Sequence, residues 1–157
     1  MLKRSLLALL IILLVAQLFQ PDRSVPTVDP AKDMLVMTNA PADIRALVIG
    51  ACYDCHSDHT DYPIWAYVTP INFIIQDHIN EGREELNYSR WDRFVGSKHA
   101  AESSESMAEG EMPPADYAMM HGHAQLSPVQ KAELIGWFKT TMGEAGHKGS
   151  DEGHNEH

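Results

Sequence analysis

Apolar residues fall along this chain in two patterns. Near the start, a run from Leu6 to Phe19 is broken only by Gln17 and follows the basic pair Lys3 and Arg4. Further on, apolar residues recur three and four apart, the spacing of one helix face. Ile44, Leu47 and Val48 mark a helix over residues 42–48, with Asn39 as its N-cap, Pro41 near the first turn, and Gly50 ending or bending it. A longer helix is predicted from Ile71 to Glu84, capped by Thr69 with Pro70 at its first position. Its apolar face carries Ile71, Ile74, Ile75 and Ile79, and His78 lies on that same face. Ser89 and Asp92 form an S-x-x-D start for a short helix that buries Trp91 and Phe94 before Gly96 interrupts it. Lys98 to Glu109 reads as a polar, mostly exposed helix ending at Gly110. Ser127-Pro128-Val129-Gln130 supplies a cap, a first-turn proline and a capping-box glutamine. It opens a last helix to about Met142, with a stripe of Leu134, Ile135, Trp137, Phe138 and Met142. No alternation of strands and helices appears, so the expected fold is all-α.

The remaining stretches set the domain plan. Residues 1–20 have the basic head and apolar body of an export signal. The run is short for a membrane span, which takes about 20 apolar residues. No A-x-A cleavage site follows, Leu14-Val15-Ala16 being the nearest to one. A retained signal-anchor is therefore favoured over a cleaved signal, and either places the domain outside the cytoplasm, on the periplasmic side of a bacterial inner membrane. Residues 21–38 hold three prolines and little apolar periodicity, the composition of a tether. Residues 39–143 are the single domain. Residues 144–157 are rich in Gly, Glu and His and should be disordered.

Charge narrows the partners. Ten Lys and Arg face 22 Asp and Glu after position 20, a formal charge of −12. Such a surface excludes nucleic acid, whose phosphates need a basic face, and argues against electrostatic docking on anionic lipid. It would be steered toward a basic patch on a protein partner.

The chemistry is concentrated in Cys52-Tyr53-Asp54-Cys55-His56, which holds the only two cysteines. At i and i+3 on a helical turn, both sulfurs lie on one side and reach the two vinyl groups of one haem. His56 then falls beneath the ring as the proximal iron ligand, and C-x-x-C-H is the attachment pattern of haem c. A thioredoxin-like pair would want a βαβ surround. A structural zinc would need more ligands than the nearby His59. A plain disulfide leaves His56 unexplained. One covalent haem c is the reading that uses all three residues, with Trp65 and Tyr67 as aromatic material for its surround.

The opposite face of the iron has three candidate ligands. Met112 stands before Pro113 and Pro114, which fix the backbone beside it, and Met and His are the usual partners of a proximal histidine. His78 and His121 are the alternatives. Met107, Met119 and Met120 lack the rigid setting and read as gap-filling core.

Several segments together resemble the bacterial haem-binding-domain family: Cys52–His56, Tyr62-Pro63 with Trp65, His78-Ile79-Asn80-Glu81-Gly82-Arg83 and Asn87-Tyr88-Ser89-Arg90-Trp91. Gly110-Glu111-Met112-Pro113-Pro114, Tyr117, His121, Ala124 to Ser127 and Trp137 continue the likeness over most of residues 40–140. The resemblance implies an exported, single-haem, cytochrome-c-like module. It implies covalent haem at Cys52 and Cys55, His56 as proximal ligand and Met112 as the leading distal ligand. The function expected is one-electron transfer to redox partner proteins rather than catalysis. The rival is a peroxidase-like enzyme or a gas or redox sensor with an open or histidine-ligated distal side.

Overall fold

A computed structural model describes residues 2–25 and 27–143, and the expected tail at 144–157 lies outside them. Helix α1 (Leu2–Ala16) is apolar on every side and buries nothing. Among the described residues, no helix is long and apolar enough to cross a membrane. A single turn at Pro30–Lys32 leads into α2 (Met34–Met37), capped by the Asp33 carboxylate on the Leu35 amide. α3 (Ala42–Ala51) passes directly into the short α4 (Tyr53–His56). A 3₁₀ turn at Ile64–Tyr67 precedes α5 (Ile71–Glu85), and another at Tyr88–Arg90 precedes α6 (Trp91–Phe94). α7 (Lys98–Glu109), α8 (Ala115–Met120), a turn at Gly122–Ala124 and α9 (Pro128–Met142) complete the chain. The described residues contain helices and turns but no strand, so the fold is all-helical.

One core holds the elements together. Ile44 and Val48 of α3, Tyr53 of α4, Leu86, Tyr88 and Trp91 meet Leu134, Phe138 and Met142 of α9, with Ala100 and Met107 of α7 between them. α9 begins with the expected capping box: Ser127 Oγ accepts from the Gln130 amide and Gln130 Oε1 from the Ser127 amide.

Several local expectations are corrected. α7 is not mostly exposed, because Ala100, Ser104 and Met107 are buried where it packs along α9. The stretch expected as tether joins the core before residue 39: Met34 and Leu35 are fully buried, where apolar side chains are stabilised most. Asn39 does not start α3. Its φ of +49° and its amide bond to the Val36 carbonyl close α2 instead, a left-handed role that Asn tolerates better than most residues. Thr69 does not cap α5, since its amide is given to Gln17 Oε1 and its hydroxyl to the Phe19 carbonyl, which leaves Pro70 at the cap position. Ser89 does not cap α6; its hydroxyl accepts from the Asp58 amide, and Asn87 caps the preceding turn. Helix α3 also continues through Gly50, which lets the His123 carbonyl come within 3.1 Å of where a Cβ would stand.

α5 is turned the unexpected way. Its protein-facing side is polar: Asn72 and Gln76 are buried and satisfied, Gln76 accepting from the Tyr62 hydroxyl and donating to Asn80 Oδ1. Of the predicted apolar face, only Ile79 enters the protein interior. Ile71 and Ile74 stay about half exposed.

Candidate functional site

The end of α3 and the turn of α4 hold both cysteines at the wall of one cavity. The His56 and Cys55 amides close the turn on the Cys52 carbonyl at 2.9 and 3.3 Å. Both thiols are unbridged. Burial pushes Cys52 up to about 12 and Cys55 up to about 11, so both are protonated at neutral pH.

His56 is oriented from behind. Its Nδ1 lies 2.9 Å from the Gly82 carbonyl and 3.0 Å from the Leu86 carbonyl at the end of α5. Two carbonyls can only accept, so Nδ1 carries the proton and Nε2 keeps its lone pair for a metal. Gly82 makes this approach feasible: a Cβ there would sit 2.9 Å from the Cys55 carbonyl oxygen.

The two residues between the cysteines are posts rather than spacers. The Tyr53 hydroxyl donates to the Asp33 carboxylate at 2.7 Å, and burial with that carboxylate raises its pKa well above the usual phenol range. Asp54 accepts from the Tyr117 hydroxyl at 2.7 Å and from the Asp61 amide at 2.9 Å, tying α8 and the 58–63 loop to the turn. Behind His56, the buried Asp58 accepts from Arg90 Nε at 2.8 Å and Asn87 Nδ2 at 3.0 Å, while Arg83 Nε donates to the Ser57 carbonyl at 2.7 Å. No sequence pattern marked Asp58 or Asp54. Gly82 carried a signal, a glycine in mid-helix, which often reports close packing.

The cavity has a volume of about 920 Å³, at the upper end of the range for small-molecule sites. Cys52, Cys55 and His56 line it together with Met112, His78 and His121, so the structure brings all six sequence-derived site residues to one space. Met107 and Met120 line it too, whereas Met119 points outside. Ile71, Ile74, Ile75 and Trp65 form apolar wall, which accounts for the exposed face of α5: it borders the cavity rather than the protein core. The His121 ring stacks on Tyr117 at 4.2 Å, and its Nδ1 is 3.0 Å from the Tyr117 carbonyl. Asp54, Asp61, Glu81, Glu85, Glu102 and Asp116 add carboxylates to the wall, and no Lys or Arg among the described residues lines it.

These residues fit a haem. A paired thiol turn, an imidazole with its Nε2 free, and a large apolar wall opposite are the donor set and the surface that a flat iron macrocycle requires. An all-helical fold around such a cavity defines a haem-binding protein. The chain belongs to the haem-binding-domain family, whose model matches residues 11–140. No curated protein and no solved structure matches it.

Proposed function

We propose that this chain carries one haem c and passes single electrons on the periplasmic side of the inner membrane, anchored through its N-terminal helix. The observation that supports this most is the His56 ring, held by the Gly82 and Leu86 carbonyls so that Nε2 alone is available to iron. When bound, the haem supplies a one-electron iron couple. Cys52 and Cys55 are the thiols that would hold it as thioethers, each S–H adding across a vinyl double bond with its hydrogen going to the vinyl carbon, so that nothing would leave. Ile71, Ile74 and Trp65 keep water from one side, and the carboxylates on the wall steer a basic redox partner toward it. α1 supplies the apolar segment for anchoring; a cleaved signal is the other outcome for the same residues.

Met112 is proposed as the distal ligand, on the strength of its place in the cavity wall and its rigid Pro113-Pro114 neighbours. A second reading gives that role to His121. The Tyr117 carbonyl takes the Nδ1 proton of His121 as the Gly82 and Leu86 carbonyls take that of His56, leaving Nε2 free.

One set of spectra tests both levels. Haem should stay on the polypeptide through acid-acetone extraction, and Cys52→Ser with Cys55→Ser should abolish that; freely extracted haem from the native chain sinks covalent attachment. With Met112 on iron, the oxidised protein shows the weak far-red sulfur–iron band, and Met112→Ala loses it and binds carbon monoxide. If the native protein lacks the band and His121→Ala or His78→Ala opens the distal side, that histidine is the ligand. Fast carbon monoxide binding by the native protein would favour the sensor or peroxidase-like reading.

A further inference from the structure

The turn at Ile64–Tyr67 and the start of α5 present two sides. Trp65, Ile71 and Ile74 face the cavity, and a haem there would cover them. Ile64, Tyr67, Val68 and Phe73 do not line it, yet they are 85%, 52%, 45% and 44% exposed. The stretch from Tyr62 to Gln76 contains no charged residue, in a chain with 22 acidic ones. This uncharged strip is fastened to the end of the apolar helix. Gln17 Oε1 accepts from the Thr69 amide at 2.9 Å and Gln17 Nε2 donates to the Thr69 carbonyl at 3.2 Å. Gln20 Nε2 donates to the Tyr67 carbonyl at 3.2 Å, and the Phe19 carbonyl accepts from the Thr69 hydroxyl at 3.1 Å. Arg23, the first cation after α1, is folded over the rings of Tyr67 and Tyr62 at 4.6 and 5.3 Å. The strip, Leu18 and Phe19 are therefore held beside one another.

We infer that this strip is a membrane-seating surface: Ile64, Tyr67, Val68 and Phe73 lie in the interfacial layer of the bilayer that receives α1. The inference rests on the anchoring reading of α1 and extends it from the helix to the haem domain itself. Length argues for it. The 15 residues of α1 rise only about 22 Å at 1.5 Å per residue, against a hydrocarbon thickness of about 30 Å. A short helix draws its flanking residues down into the interface. Here the flank is Leu18 and Phe19, to which the strip is bonded. The composition agrees, because Tyr with aliphatic neighbours and no carboxylate is what the interface accepts, whereas the acidic remainder of the surface is not. A bilayer is preferred over a second copy of the chain because α1, exposed on all its faces, already needs apolar cover from outside the protein, and the strip continues that face. The same turn then touches lipid on one side and the haem site on the other, through Trp65, so the cofactor is held at membrane level.

The test uses the full, haem-loaded chain in neutral phosphatidylcholine nanodiscs, one chain per disc, with a thiol introduced by Ile64→Cys. Val129→Cys, on α9 and 76% exposed, is the reference. The unsubstituted protein gives the background from Cys52 and Cys55. Modification by a membrane-impermeant maleimide should be at least tenfold slower at position 64 than at position 129. Protein does not cover Ile64, so such slowing reports lipid. Equal rates with the chain retained in the discs would overturn the seating while leaving the anchor intact. A chain that elutes apart from the discs would overturn both.

Discussion

A single missing methyl group sets how closely α5 approaches the Cys52–His56 turn. Alanine at position 82 would press its Cβ to 2.9 Å from the Cys55 carbonyl, and backbone cannot swing aside as a side-chain tip can. Gly82→Ala should therefore cost about 1–3 kcal/mol, as overpacking does, and should also loosen the carbonyl that holds His56 Nδ1. Gly136→Ala in α9 meets nothing within 4 Å. It should raise stability by about 0.5–1 kcal/mol. Thermal melts of the two variants check both signs, and equal behaviour would mean that the turn gives way easily. At this scale the sequence was legible where chemistry is written in adjacent residues. Cys52, Cys55 and His56 could be read as a linear pattern. Asp58 and Gly82 could not, because their work lies in partners 26 to 32 positions away or in a Cβ that is not there. An aspartate two residues after a motif gives no sign that Arg90 and Asn87 will enclose it.

At the scale of the element, α5 shows why periodicity finds a stripe but not its cover. Ile71, Ile74 and Ile75 have the right spacing for a core face, yet the core takes Asn72 and Gln76 instead. The stripe belongs to the cavity, and a covering molecule leaves no trace in the spacing of its own wall. This yields a test that separates wall from core. Ile74→Asn should lower the stability of the haem-loaded protein by about 1–3 kcal/mol, the cost of a poorly paired buried amide. The haem-free chain should change by less than about 0.5 kcal/mol, as surface substitutions do. Denaturant titration of both forms decides it, and equal losses would place Ile74 in the core. α7 carries a related lesson. Its composition is polar, but Ala100, Ser104 and Met107 are small or slender enough to lie flat against α9, so polarity alone misjudged its burial. α9 and its capping box were legible because cap, proline and glutamine are all local.

Across the whole molecule, the acidic balance should control the speed of encounter. Electron transfer to a basic protein acceptor should slow as ionic strength rises, by roughly tenfold or more from low to physiological salt. Transfer to an anionic complex such as ferricyanide should quicken over the same range. Stopped-flow traces at several salt concentrations test both, and rates indifferent to salt would remove the steering argument. The all-helical plan was legible from spacing alone. The way the N-terminal segment enters the domain was not, since Met34 and Leu35 sit in a stretch whose prolines and polar residues read as linker. That entry has a mechanical meaning. The chain from α1 passes Asp33, whose carboxylate accepts from the Tyr53 hydroxyl in the Cys52–His56 turn, and then Leu35, whose carbonyl accepts from Arg45 on α3, the helix that runs into Cys52. With α1 anchored as proposed, a pull on that end would be borne in series by the pocket's own backbone and would reach the Cys52–His56 turn first.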